Sequence, residues 1–395
     1  MPTSRIPSSP RATARSADPP QHNLSLLEDL TPTQREAVVH EGGPLLIIAG
    51  AGTGKTTVVT RRIAWLIATK RARPEEILAL TFTEKAAAEM EERIDLLLPY
   101  GYVDVSVNTF HAFGDQLIRE HALKIGRSST GRVLSQAEQL VFLRRHVFDL
   151  PLKELRPLND PTRFLEALAG VFSRAKDEAV TPEAFLAYAQ SLPRQDPDMD
   201  EEAVKAHATR IRETAGAYAA YQQRLIENDM MDFGDQVLLA VHLLERSPDV
   251  LAGLRQRFRY LLVDEFQDTN FAQFRLLQLL ARPDSNVTVV ADDDQSIYKW
   301  RGAAISNVLK FLDQYPTVRT IVLTENFRSS QRILDCAYRL IRFNDPDRLE
   351  VRQGIDKRLV AHASRADAEV RFHAFDTASS EADWVARAIR EGIES

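Results

Sequence analysis

Six short apolar runs along the chain each end abruptly in a polar or glycine-rich segment. They are LLIIA before GAGTGKT, ILALT before FTEK, VSV before NTFH, YLLV before DEFQDT, VTVVA before DDDQ and TIVL before TENFRSS. Each has the length of a strand, and several are rich in Ile or Val. Near-continuous apolar runs of this kind suit strands covered on both faces of a parallel sheet. Helix-compatible stretches follow most of them, such as Lys85–Leu98 after FTEK and Phe271–Leu280 after DEFQDT. Strands alternating with helices predict an α/β fold. In such sheets ligands gather outside the carboxyl ends of the strands, so the six polar segments are expected to share one active edge.

The spacing predicts an insertion. More than 200 residues separate Lys55 in the first glycine-rich segment from Asp264 in DEFQDT. Much of the excess is helical in pattern, with Gln136–Phe148, Arg163–Lys176 and Glu201–Ile226 carrying Ala, Leu, Glu and Arg at helical spacing. A structureless loop of that length inside a domain is implausible, and a helical subdomain inserted into the α/β core accounts for it. Pro193, Asp196, Pro197 and Asp198 mark a loop within it.

Composition narrows the class without fixing the partner. A chain of 395 residues that is 44% hydrophobic and 27% charged has the balance of an ordinary globular protein with more than one core. No apolar run approaches the roughly 20 residues needed to span a membrane. The single Cys336 rules out an internal disulfide and fits a reducing, cytoplasmic setting; it reads as a small buried hydrophobe on a helix. Residues 1–23, rich in Pro, Ser and Arg, read as a disordered tail, with a transit peptide as the alternative. The net charge of −6 gives no global attraction to nucleic acid, but a local basic groove can bind a single strand on an acidic protein.

The segment Ala49, Gly50, Ala51, Gly52, Thr53, Gly54, Lys55, Thr56 follows a strand and opens a helix. Glycines there let backbone N–H groups turn inward around phosphate oxygens, and the helix N-terminus adds partial positive charge. Lys55 can reach the β- and γ-phosphates of ATP, and the Thr56 hydroxyl can ligate Mg²⁺. Ala49 stands where the strict pattern has Gly. In YLLVDEFQDT, Asp264 suits Mg²⁺ coordination and Glu265 suits the base that orients or deprotonates the attacking water. Gln295 follows VTVVA, where a neutral amide can bond the γ-phosphate or the water. Tyr298, Trp300 and Arg301 come within six residues of it, and such groups stack on bases of any sequence. One short segment therefore joins phosphate sensing to base stacking.

Taken in order, these motifs resemble the UvrD/Rep-type DNA helicases of superfamily 1, from about Leu24 to Arg342. LTPTQREAV resembles the family's adenine-reading segment, which places Gln34 against the base. AGAGTGKT and DEFQDT resemble its nucleotide motifs, TFTEKAAAEM and TFH its DNA-contacting segments, and ADDDQSIYKWRGA the segment that couples ATP to DNA. ENFRSS resembles the opening motif of the second RecA-like domain. The resemblance implies that Arg328 reaches the γ-phosphate on domain closure and that Phe327 stacks on adenine. An alternative for Arg328 is a surface pairing with Asp335. Phe82, Thr83, Phe110 and His111 fall in the DNA-contacting segments; for the two phenylalanines core packing is the alternative, and for His111 a buttressing role. Asp232 and Asp235 read as capping or structural. Thr57 lies beside the nucleotide where some relatives have arginine, Glu84 stands where Asn is frequent, and Ala291 precedes a dense acidic run, Asp292–Asp294.

The implied architecture is a P-loop RecA-like domain built from 24–113 and 225–318. It carries an inserted helical subdomain, 114–224, and is followed by the start of a second RecA-like domain, 319–395. The implied function is a Mg-ATP-driven motor moving 3′ to 5′ on single-stranded DNA, acting at single/double-strand junctions in repair or replication. The chain is expected to be an N-terminal portion of such a protein. Two alternatives stand beside this reading: the motor of a RecB- or AddA-like helicase–nuclease, and an ATP- and DNA-binding module that does not turn over by itself.

Overall fold

The structure, a computed structural model, describes residues 26–98, 104–192, 200–296, 305–362 and 369–394. Contacts divide the chain into two units: residues up to Ala49 with Lys55–Leu323, and Gly50–Gly54 with Thr324 onward.

The first unit is built on a six-stranded, wholly parallel sheet. Its strands are β1 (Leu45–Ala49), β2 (Ile77–Thr81), β3 (Ser106–Thr109), β6 (Tyr260–Val263), β7 (Asn286–Ala291) and β8 (Arg319–Leu323), in the spatial order β3-β2-β6-β7-β1-β8. Every residue of β1, β2 and β6 is buried, which is why these runs lack the alternation of a half-exposed strand. Register is fixed by pairs such as Ile47 with Val290 and Leu80 with Val263. Helices α1 (Pro32–Val39), α2 (Lys55–Ala68) and α3 (Glu84–Leu97) contribute Val38, Ile63, Leu66 and Met90 to a core shared with Leu45, Ile47 and Ile77.

A buried arginine closes this core. Arg62 on α2 is 1% exposed, and its guanidinium donates to the carbonyls of Ala37, Val38 and His40 at 3.1, 3.1 and 2.8 Å. Those are carbonyls at the end of α1, which a helix leaves without internal partners. Burial pushes the Arg62 pKa down to about 10, well above neutral pH, so the guanidinium stays charged.

The inserted region is helical, as the spacing predicted. It runs through α4 (Phe110–Glu120), α5 (Gln136–Arg145), α6 (Leu165–Asp177), α7 (Pro182–Gln190) and α8 (Glu201–Glu227). Phe142, Leu143, Phe172, Tyr218, Tyr221 and Leu225 form a second core there. A two-stranded parallel pair, β4 (Arg132–Leu134) with β5 (Met230–Asp232), ties its two ends together. The chain then returns through α9 (Phe233–Arg246), α10 (Pro248–Arg257), α11 (Phe271–Leu280) and α12 (Ile305–Gln314). The loop expected around Pro193–Asp198 lies outside the described residues.

Two expected boundaries fall elsewhere. Residue 114 is inside α4, whose first residue is Phe110, so the helical stretch begins before it. The second unit was expected from 319, but Arg319–Leu323 add to the edge of the first sheet, with Ile321 beside Ile47 and Leu323 beside Ala49. The TIVL run satisfies its backbone bonds against β1, and the first unit therefore extends to Leu323.

The second unit contains a short parallel pair, β9 (Glu325–Asn326) with β10 (Val360–Ala361), and helices α13 (Gln331–Ile341), α14 (Leu349–Gln353) and α15 (Ala378–Glu394). Cys336 on α13 is only partly buried, more open than the sequence pattern implied. Among the described residues, no helix is long and apolar enough to cross a membrane.

Candidate nucleotide site

The carboxyl ends of β1, β6 and β7 carry the charged residues singled out in the sequence. Lys55 opens α2 directly after the loop that follows β1. Its ammonium donates to Glu265 Oε2 at 2.8 Å, with the lysine side chain 10% exposed and the glutamate 33%. Glu265 has φ +49°, a left-handed conformation costly for a residue with a Cβ. That turn at the end of β6 directs its carboxylate to Lys55.

Asp264 is nearly enclosed, and its Oδ1 accepts the Glu265 N–H at 2.9 Å. Burial first, then the Glu265 charge, push its pKa up to about 6, while Lys55 pulls the other way. Asp268 behaves alike: burial and Glu265 raise it to about 6. Asp268 Oδ1 has no hydrogen-bond partner among the described residues. Three carboxylates thus face one lysine, an imbalance that a divalent cation would offset. Among the described residues no three acidic, His or Cys side chains form a cage for a metal ion. Mg²⁺ is usually held by one or two carboxylates together with phosphate oxygens, so the donors here fit it without such a cage.

The end of β7 joins the same cluster. Gln267, 1% exposed, donates to Glu265 Oε2 at 2.7 Å and accepts the Asp292 N–H at 2.9 Å. Asp292 in turn accepts from the Gln295 side chain. Gln295 is therefore linked to Glu265 through two residues to which the sequence reading gave no role. Gln267 stood inside the DEFQDT motif, and its position two residues past the acidic pair was the available signal.

The loop Gly50–Gly54 is a tight turn in which the Thr53 N–H and hydroxyl both bond the Gly50 carbonyl, at 3.3 and 2.8 Å. Gly52 and Gly54 have φ of +82° and +85°, a region that a side chain would strain. Ala49 is buried, Ala51 is exposed, and Thr56 and Thr57 are half-buried at the start of α2. Within the second unit, Asn326 Nδ2 donates to the Ala51 carbonyl at 2.6 Å and the Phe327 N–H to the Gly52 carbonyl at 2.8 Å. Arg328 is exposed, and its N–H is held by Asn326 Oδ1 at 2.9 Å. Its alternative partner Asp335 is instead taken by Arg358 and Gln331, each at 3.0 Å. Phe327 stacks obliquely on His362, ring centres 5.0 Å apart.

Gln34 is 5% exposed, and its side-chain oxygen accepts the Thr31 N–H at 3.0 Å in a reciprocal cap of α1. Of the residues expected on the DNA path, Thr83 is exposed and caps α3, and Phe82 is half-buried. Phe110 is 2% exposed and packs in the interior, the second of the two roles considered for it. His111 meets Phe233 edge-on at 5.7 Å, and burial holds its pKa below the usual histidine value. Glu84 accepts from the Thr109 hydroxyl at 2.7 Å, so this acidic substitution bridges the starts of α3 and α4. Tyr298, Trp300 and Arg301 lie outside the described residues. Asp232 and Asp235 form a reciprocal cap on α9, the structural role expected of them, and also enclose Lys176.

Known proteins match this arrangement in sequence. Residues 30–316 match the UvrD/REP helicase N-terminal domain. A protein named ATP-dependent DNA helicase PcrA from Bacillus subtilis (strain 168) is 39% identical over 320 residues, covering 81% of this chain and 40% of that protein. One of the same name from Leuconostoc citreum is 37% identical over 369 residues, 93% of this chain and 45% of its own. The chain thus spans less than half the length of these relatives. With its parallel sheet, its lysine–glutamate pair and this match, the chain belongs to the UvrD/REP helicase N-terminal domain family.

Proposed function

We propose that this chain is the ATP-driven motor portion of a DNA helicase, moving 3′ to 5′ along single-stranded DNA in repair or replication. It would work in the cytoplasm, at single/double-strand junctions. The observation that carries the reading is the pairing of Lys55 with Glu265 beside buried Asp264, with Gln295 connected to the same carboxylate. That is the charge arrangement phosphoryl transfer to water needs: a cation for the transferred group and a base for the nucleophile.

Lys55 binds the terminal phosphate oxygens of ATP, which compete with Glu265 for its ammonium. Released from that pair, Glu265 accepts the proton of the attacking water. Thr56 and Asp264 would hold Mg²⁺, which would neutralise phosphate charge. Gln34 and Phe327 recognise adenine, and Thr57 lies beside the phosphates. Arg328 supplies a second positive charge to the transferring group. Single-stranded DNA stacks on Tyr298 and Trp300 with Arg301, and passes Phe82, Thr83 and His111.

Single-turnover hydrolysis of labelled ATP, with and without a single-stranded oligonucleotide, tests the proposal. DNA-accelerated turnover that disappears in Lys55→Ala is the expected outcome. Tight nucleotide and DNA binding without turnover would leave a binding module instead. Turnover intact in Lys55→Ala would overturn the assignment of the site.

A further inference from the structure

The side chain of Gln267 bridges two segments to which the proposed motor assigns different tasks. Its amide nitrogen bonds the base Glu265 at 2.7 Å, and its amide oxygen holds the backbone N–H of Asp292 at 2.9 Å. A carboxamide is planar, with donor and acceptor fixed at its two ends, so displacement of either partner is felt by the other. Beyond Asp292 the contacts continue to the Gln295 side chain, and the Asp294 N–H bonds Asp292 Oδ1 at 3.2 Å.

The far side of the base-stacking segment is tied to the same turn. Asn307, 1% exposed on α12, donates to the Thr269 carbonyl at 2.8 Å, just past Gln267. Residues on both sides of 297–304 are thereby fastened to the DEFQDT turn. Glu265 itself sits in a left-handed conformation that the backbone does not favour, and its Oε2 is held by Lys55 and Gln267 together.

We propose that Gln267 is a positioning residue that sets the Glu265 carboxylate according to the placement of the Asp292–Gln295 turn, and so transmits DNA engagement to ATP hydrolysis. The inference rests on the motor reading above. When ATP draws Lys55 away, Gln267 is, among the described residues, the side chain still bonded to Glu265. A shift of the turn on binding a strand then moves the base through one rigid amide.

The test uses Gln267→Ala and the near-isosteric Gln267→Glu in this chain, each checked for a wild-type thermal melt. Amide hydrogen exchange without nucleotide reads the link directly. In Gln267→Ala the Asp292 amide should exchange at least about 10-fold faster, whereas Gln267→Glu, which keeps an acceptor, should preserve its protection. Single-turnover hydrolysis should fall on the order of 100-fold with oligonucleotide in both variants. Fluorescent ATP-analogue binding should stay within about twofold, and the ratio of rates with and without DNA should collapse toward one. Unchanged Asp292 exchange in Gln267→Ala overturns the link. So does a DNA-stimulation ratio equal to wild type, even if overall turnover drops. If wild type itself shows no DNA response, it is the motor reading that fails, and amide exchange still decides whether Gln267 joins the two segments.

Discussion

Replacing Lys176 by methionine should be among the most damaging single changes available in the first unit. Its ammonium is fully buried, 2.7 Å from Asp232 Oδ2 and 2.9 Å from Asp235 Oδ1, with those side chains 6% and 0% exposed. Tyr221 adds a hydroxyl to Asp232 at 2.9 Å, and Gln222 an amide to Asp235 at 2.7 Å. The nearby carboxylates hold the lysine protonated against burial, and burial with the Asp232 charge raises Asp235. Methionine fills a similar volume but leaves two carboxylates enclosed without a cation. Removing one partner of a buried charge cluster costs about 3–5 kcal/mol. Urea unfolding at pH 7.5 should show that loss, and Lys176→Met with Asp235→Asn should recover about half, since Asn can still cap Asp232. The deficit should shrink toward pH 5. The folded variant binds a proton on one carboxylate more tightly than the unfolded chain does, so its stability falls as pH rises through that range. A loss below about 1 kcal/mol, or one independent of pH, would refute the claim that these three groups depend on one another.

Other outcomes follow from single contacts. Asp177 is pushed up to about 6, chiefly by burial, and accepts from Asn270 at 2.7 Å. Its folded pKa lies above the unfolded value, so its contribution is fully present below about pH 4 and is lost as pH rises through 6. Asp177→Asn keeps the acceptor and should stabilise the chain by about 1–3 kcal/mol at pH 7.5, discounted for partial exposure. Thermal melts at pH 4 should show no gain. Gly114→Ala places a methyl 2.3 Å from the Gln236 carbonyl oxygen, where α4 and α9 touch. The helices must part, and urea unfolding should register a loss of about 1–3 kcal/mol despite the better helix propensity of alanine.

What the sequence disclosed and what it hid have the same physical origin. Strands such as ILALT and YLLV are buried on both faces, so their apolar runs alone mark them, and the helix-compatible stretch after DEFQDT coincides with α11. The pair β4–β5 joins three-residue segments almost a hundred positions apart, and such short strands carry no periodicity. Lys176 closes a helical stretch that gives no sign of its partners; only folding brings Asp232 and Asp235 to it. At the site, Lys55, Asp264 and Glu265 were readable because glycines and strand-end acids flank them. Gln267 was passed over because an amide gives no charge signal, and its importance lies in what its two ends reach.

Mg-ATP binding by wild type and Lys55→Ala, measured by titration calorimetry at one salt concentration, tests the central claim most directly. The Lys55 ammonium already holds a carboxylate oxygen at 2.8 Å, and a phosphate oxygen is the ligand it is proposed to take instead. Saturable one-to-one binding by wild type, weakened at least about 10-fold in Lys55→Ala, is the expected result. Equal affinity in the two proteins, or no binding by wild type, would contradict it.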